Sequence, residues 1–272
     1  MSVHWTLADI PWDRFDAAKV NPEIAKIVRA AALVEYGGNH YADYLCNIFS
    51  DDEALCDIIR QWALEEVQHG QALAKWASLA DPEYNLESRY ATFRKNYSLD
   101  TTQQTSVRGS RAGELLARCM VETGTSSYYT AMREQTDEPV LQEICQHIAA
   151  DELRHYKLFY DHLKRYLETE PMTTLQRLRV ALGRIAESDD DELASAYFAA
   201  NGDGQMYNRT TFSRAYARRA FGLYRRHNVE RVVGMVFKAC GLKPQTLLFR
   251  GVARVAWWGI ENKAKRLEKQ AA

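Results

Sequence analysis

Apolar residues recur three and four positions apart through four long segments of the first 170 residues, which is the spacing of a helix with one buried face. The chain of 272 residues holds only six prolines, so few positions interrupt such segments. We predict one helix over about residues 22–49 and a second that opens at residues 50–53 and runs to about 79. A third covers about 104–134, and a fourth follows the break at "QTDEP" and runs to about 167. Pro22 marks the start of the first, and Ser50 with Glu53 forms a capping box before the second. The predicted class is all-α.

Short polar turns join the first helix to the second and the third to the fourth, so each pair is predicted to form an antiparallel hairpin. Two similar hairpins indicate a ferritin-like four-helix bundle with an internal two-hairpin repeat, assigned to residues 1–170. Residues 171–272 form a helical C-terminal extension, predicted to pack on the bundle. It is expected to hold three helices, separated by "ESDDDE", "NGDGQ" and "CGLKPQ". We find no catalytic motif in it.

The balance of charged residues also changes at residue 170. Residues 1–170 hold 17 Lys and Arg against 27 Asp and Glu, whereas residues 171–272 hold 18 against 9. The basic extension either packs across the acidic bundle or docks an acidic partner. We expect no nucleic-acid partner; a homodimer is allowed for, and the sequence does not fix the oligomeric state.

Cysteine usage and hydropathy indicate the compartment. The five cysteines stand singly, with no CxxC pair, which argues against a rubredoxin-type or zinc-ribbon site and fits a reducing cytosol. No apolar run is long enough for a transmembrane span, and the first residues do not have the form of a secretory signal. We therefore expect a cytoplasmic protein.

Each of the four predicted helices places one glutamate on its apolar face, and two of the helices add a histidine three residues later. The glutamates lie about 15 residues, or about 22 Å of helix, from the turn of their hairpin, so antiparallel packing would bring them to one level. The six candidate metal ligands are Glu35, Glu66, His69, Glu122, Glu152 and His155.

Four buried carboxylates without a counter-charge would repel one another and lose their hydration. Two divalent metal ions would offset that cost. One glutamate from each of two helices, with Glu-x-x-His from each of the other two, is the ligand set of ferritin-like di-iron and di-manganese proteins. Carboxylate oxygens with one imidazole per metal suit iron or manganese better than copper or structural zinc. A purely structural bundle would leave the buried acids unexplained.

Two segments carry a resemblance to a known family. "WALEEVQHG" at 62–70 and "ICQHIAADELRHY" at 144–156 are similar to segments of soluble acyl-carrier-protein desaturases, and the similarity extends over about residues 30–170. Several residues besides the Glu-x-x-His pairs match as well: Trp62, Glu65, Gly70, Ala149, Ala150, Asp151 and Arg154. Residues 171–272 do not align with those enzymes. The resemblance therefore does not extend to the surface that binds the carrier protein or to the substrate tunnel.

The resemblance implies roles for the matching residues. The six candidate ligands would hold two irons, Fe²⁺ or Fe³⁺, or a manganese–iron pair, with Glu66 and Glu152 as bridging carboxylates. Asp151 would orient a ligand histidine, and Thr125 would face the side of the cluster where oxygen reacts. A reduced ferredoxin-like protein would donate electrons, and O2 would be the co-substrate. The substrate would be an apolar acyl chain, free or on an acyl carrier protein.

Other ferritin-like functions share these ligands. Amine N-oxygenases carry an extra histidine four residues before the last ligand glutamate, where this chain has Ile148. Aldehyde-deformylating and hydroxylating enzymes stay open alternatives, as does a ferroxidase or iron-binding protein, although iron storage does not need a basic extension of 100 residues.

Small residues beside the ligands either leave space for oxygen and substrate or permit close helix packing: Gly37, Gly38, Gly124 and Ser126.

Overall fold

The computed structural model describes residues 5–187 and 191–271. The described residues form α-helices, the short 3₁₀ helices Trp12–Arg14 and Ala17–Lys19, and connecting segments, with no β-strand. The all-α prediction is therefore confirmed for this part of the chain. None of the described helices is long and apolar enough to cross a membrane. The helices are α1 Pro22–Tyr36, α2 Gly38–Ile48, α3 Glu53–Ala80, α4 Leu86–Asn96, α5 Arg111–Gln135, α6 Pro139–Thr169, α7 Thr174–Ala186, α8 Asp191–Asn201, α9 Arg209–Leu223, α10 Arg226–Ala239 and α11 Leu247–Ala271.

The first predicted helix is two helices, because the chain departs from helical hydrogen bonding at Gly37. The side chain of Asn21 caps α1 by accepting bonds from the backbone N–H groups of Glu23 and Ile24. At the other end the N–H of Gly37 bonds to the carbonyl of Val34, a tighter turn than an α-helical one. Glycine has low helix propensity, and two in succession end α1 directly after Glu35 and Tyr36.

Several predicted boundaries are wrong. Asp52, and not Ser50, caps α3, since its side chain accepts a bond from the N–H of Leu55. The third helix begins at Arg111, seven residues later than predicted. Helix α4 was not predicted: its sequence is polar and Phe93 is its single buried residue, but Asn85 caps it by accepting a bond from the N–H of Ser88.

The described residues after 170 form five helices rather than three. Helix α7 begins with a capping box in which Thr173 and Gln176 satisfy each other's backbone N–H groups. The predicted separator "ESDDDE" includes residues 188–190, which lie outside the described residues; its last two residues begin α8.

The described residues group into two compact units. Unit 1 consists of residues 5–103, 132–147 and 191–219. Within it α1 and α2 pack on α3, and α8 packs on α1 and α4. The arginines of α9 join this unit through charge, since Arg218 and Arg219 both lie within 2.8 Å of a carboxylate oxygen of Glu23. Part of the basic segment thus pairs with an acidic residue of the first helix.

Unit 2 consists of residues 104–131, 148–187 and 220–271. It contains most of α5 and α6, together with α7, α10 and α11. Helices α10 and α11 pack on each other around Val229, Val233, Phe237 and Ala253. Both units draw on residues before and after 170, and the division of the chain at that residue stays a prediction.

Candidate metal sites

Unit 1 holds three of the predicted ligands in one cluster, which we call the first triad: Glu35, Glu66 and His69. Glu35 lies in the last turn of α1, and the other two lie on one face of α3. All three side chains are buried, and the ring nitrogen Nδ1 of His69 lies 3.8 Å from Oε2 of Glu35. The potential ligand atoms of the triad lie within 4.8 Å of one another. Packing of α1 on α3 therefore brings Glu35 to the Glu-x-x-His pair of α3.

Unit 2 holds the other three in an equivalent cluster, the second triad: Glu122, Glu152 and His155. Glu122 comes from α5, and the Glu-x-x-His pair comes from α6. Nδ1 of His155 lies 3.8 Å from Oε2 of Glu122 and 3.9 Å from Oε2 of Glu152. These side chains are also buried, with ligand atoms within 4.8 Å of one another. Convergence of all six residues on one centre stays a prediction.

The donor set of each triad fits a divalent cation. Each offers two carboxylates and one imidazole inside the protein, where hydration cannot compensate negative charge. Burial, opposed by the charge of Arg118 and reinforced by that of Glu152, raises the pKa of Glu122 to about 8. A bound cation would hold these groups in their ionised form, and carboxylate oxygen with imidazole nitrogen is a set that iron and manganese accept. Each triad is thus a buried Glu/His group that could bind a metal ion.

Arg118 is a feature of the second triad that the sequence analysis missed. Its guanidinium donates a hydrogen bond of 2.6 Å to Oε1 of Glu122, one helical turn away, and both side chains are buried. Since Arg118 takes Oε1, the other oxygen of Glu122 is the one that faces His155. The spacing of four residues between an arginine and a glutamate on the apolar face was the signal available in the sequence.

The two predicted catalytic residues lie in unit 2. Thr125 Oγ1 lies 2.5 Å from Oε2 of Glu152, so its hydroxyl contacts a candidate ligand directly. Asp151 is buried and accepts a hydrogen bond of 2.7 Å from Arg154, one turn further along α6. Neither contact was predicted from the sequence, and the expected roles of Thr125 on the oxygen side of the cluster and of Asp151 beside a ligand histidine stay predictions.

The first triad is covered by a residue from the N-terminal segment. The ring of Trp5 stacks parallel to that of His69 at 6.1 Å between centroids, and on His147 at 5.1 Å. Gln68 holds the segment by donating a hydrogen bond of 3.0 Å to the carbonyl of Trp5. No periodicity or motif in the sequence pointed to Trp5, because its placement depends on a loop and not on a helix face.

A further buried acid lies in the electrostatic environment of the first triad. Glu192, from α8, accepts a hydrogen bond from the hydroxyl of Tyr41. Burial, with the charge of Glu35 adding to it, raises the pKa of Glu192 to about 7. The sequence placed this residue in a separator with no catalytic motif, so α8 contributes more to the site region than we expected.

The glycines beside the first triad permit close packing of α3. A Cβ atom on Gly38 would lie 2.6 Å from Cβ of Glu66, and one on Gly70 would lie 2.5 Å from the backbone nitrogen of Tyr36. In contrast, a Cβ on Gly124 would meet nothing within 4 Å, and Gly124 is exposed. Of the two interpretations offered by the sequence, close helix packing therefore describes Gly38.

Comparison with known proteins identifies the family. The family model described as fatty acid desaturase matches residues 37–187, more than half of the chain, and the protein belongs to that family. Five of the six candidate ligands lie inside the match, and Glu35 lies two residues before it. A search of curated proteins finds no match. Membership supports a desaturase-like oxidoreductase that acts on fatty acyl chains.

Proposed function

We propose that the protein is an oxygen-dependent di-iron desaturase in which the six triad residues bind two irons. The observation that carries this proposal is the pair of buried triads, each with one glutamate and one Glu-x-x-His pair, in a chain of the fatty acid desaturase family. The ligand set is that of ferritin-like di-iron proteins, and a four-helix bundle with two hairpins is the fold that we propose for these helices.

The bound irons would supply the activation of O2 that hydrogen abstraction from an unactivated acyl chain requires. Removal of two hydrogen atoms from the acyl chain gives two electrons and two protons, and a reduced ferredoxin-like donor gives two more electrons. With two further protons from solvent, these reduce O2 to two waters. The protein's own residues orient the ligands and exclude water. Trp5 covers His69 in unit 1, and Arg118 fixes one oxygen of Glu122 in unit 2.

Thr125 and Asp151 are proposed to act beside the irons. The hydroxyl of Thr125 contacts Glu152 and so fixes the direction of that carboxylate. Asp151 is proposed to orient a ligand histidine, a role in which buried carboxylates commonly support metal-bound imidazoles.

Replacing Thr125 with valine should lower kcat about tenfold while the iron content stays that of the parent, because one hydrogen bond to a ligand oxygen is lost without a change in side-chain shape. Serine at the same position keeps the hydroxyl and should restore most of the rate. Turnover and iron analysis on the same samples would check this. A valine variant as fast as the parent would remove Thr125 from the proposed machinery.

The substrate class is tested by supplying the iron-loaded, chemically reduced protein with O2 and one of four compounds. These are an acyl chain on acyl carrier protein, the same chain on coenzyme A, a long-chain aldehyde and an aryl amine. We expect the acyl carrier thioester to give a product two mass units lighter with a new double bond. Oxygen consumption with the amine or aldehyde, and none with either thioester, would contradict the desaturase proposal.

A further inference from the structure

Helix α11 is apolar on two opposite faces. One face packs within unit 2: Phe249, Trp257 and Ile260 lie against the core cluster of α10, and Ala253 is part of that cluster. This packing fixes which side of α11 faces the protein. The remaining apolar residues of the helix must therefore have another explanation.

The opposite face is a stripe of large apolar side chains in solvent. Leu248, Val252, Val255 and Trp258 follow one another at steps of four, three and three, and all are exposed; Val255 keeps 67% and Trp258 65% of its surface accessible. Three turns of helix, about 15 Å, thus present a continuous ridge. Contiguous apolar surface of this kind marks an interaction site more often than scattered exposed residues do.

The charge beside the stripe is positive. Arg250 and Arg254 are exposed on one flank, and neither has an ion pair with any described residue. Residues 220–271 together hold eleven Lys and Arg against three Asp and Glu. A surface that complements α11 should therefore be apolar at its centre and anionic around it.

We propose that α11 is an interfacial helix that binds the surface of an anionic lipid bilayer, with the stripe from Leu248 to Trp258 in the headgroup and upper acyl region. A single helix ridge with protruding Leu, Val and Trp fits the acyl boundary of a bilayer, and arginines on its flank can reach the phosphates. Since no described helix could cross a membrane, the association is peripheral. The proposal does not depend on the metal sites.

Flotation of the full-length protein with lipid vesicles tests this. Vesicles of phosphatidylcholine alone are compared with equal parts of phosphatidylcholine and phosphatidylglycerol. The parent should float with the mixed vesicles, and Val255→Glu combined with Trp258→Glu should lower the partition coefficient about 100-fold.

Val107→Glu is the matched control, since Val107 is 63% exposed and lies outside α11; it should leave binding unchanged. Arg250→Gln with Arg254→Gln should weaken binding about tenfold.

A second measurement needs no charged substitution in the stripe. Brominated lipid should quench the fluorescence of the parent, and Trp258→Phe should lose most of that quenching. Failure of the parent to float with mixed vesicles, equal binding to both vesicle types, or equal flotation of parent and double variant would each overturn the proposal. So would a parent that sediments as a dimer, becomes a monomer in the double variant and binds no vesicles, because a second copy would then cover the stripe.

Discussion

Replacing Glu152 with alanine is expected to remove most of the iron and to lower desaturation about 100-fold or more, the largest effect of any single change. The variant deletes one of two carboxylates from the second triad and the partner of Thr125. In the metal-free protein the same change relieves repulsion between Glu152 and Glu122, so the chain should still fold. Iron analysis, turnover and circular dichroism on one preparation would separate loss of metal from loss of structure.

Glu143→Ala is the matched control on the same helix. Glu143 lies 3.4 Å from His147 in a partly exposed pair four residues apart, so its removal costs little and deletes no ligand of either triad. It should bind iron like the parent. If Glu152→Ala kept the iron content of the parent, Glu152 would not be a ligand.

Replacing Gly70 with alanine is expected to lower the free energy of unfolding by about 3 kcal/mol, the upper part of the range for overpacked cores. The added Cβ would lie 2.5 Å from the nitrogen and 2.7 Å from Cα of Tyr36, and backbone atoms cannot rotate away as a long side chain can. Because Gly70 follows His69 and Tyr36 follows Glu35, the shift should also disturb the first triad. Denaturant unfolding and iron content would measure the two effects.

Gly124→Ala supplies the control of opposite sign. Its Cβ would meet nothing within 4 Å in the interior of α5, so alanine should raise the free energy of unfolding by about 1 kcal/mol through helix propensity alone. Equal loss of stability in both variants would contradict the packing described for α3.

Periodicity was sufficient to predict the long helices and the inward faces of their glutamates. Residues on a regular helix keep their spacing, so the pairing of Glu66 with His69, and of Glu152 with His155, follows from the order of residues alone. Boundaries depended on local chemistry that periodicity does not carry. Two adjacent glycines end α1, and Asp52 rather than Ser50 caps α3. The polar helix α4 has only one buried residue among those described, so it shows no apolar periodicity.

The missed residues of the site share a physical reason. Trp5 reaches His69 from an irregular segment, and Tyr41 and Glu192 meet across 151 residues of sequence. Such contacts depend on tertiary packing, which spacing along the chain does not determine. Arg118 was within reach of sequence analysis, because a residue four positions before Glu122 lies on the same helix face.

The most direct test of the central claim is the metal content of the unmutated protein, produced with iron in the medium and purified without chelators. We predict about two irons per chain, because each of the two triads, with two carboxylates and one histidine, would bind one metal ion. Protein that folds and is stable but contains neither iron nor manganese, and takes up none when ferrous iron is added without oxygen, would contradict the account.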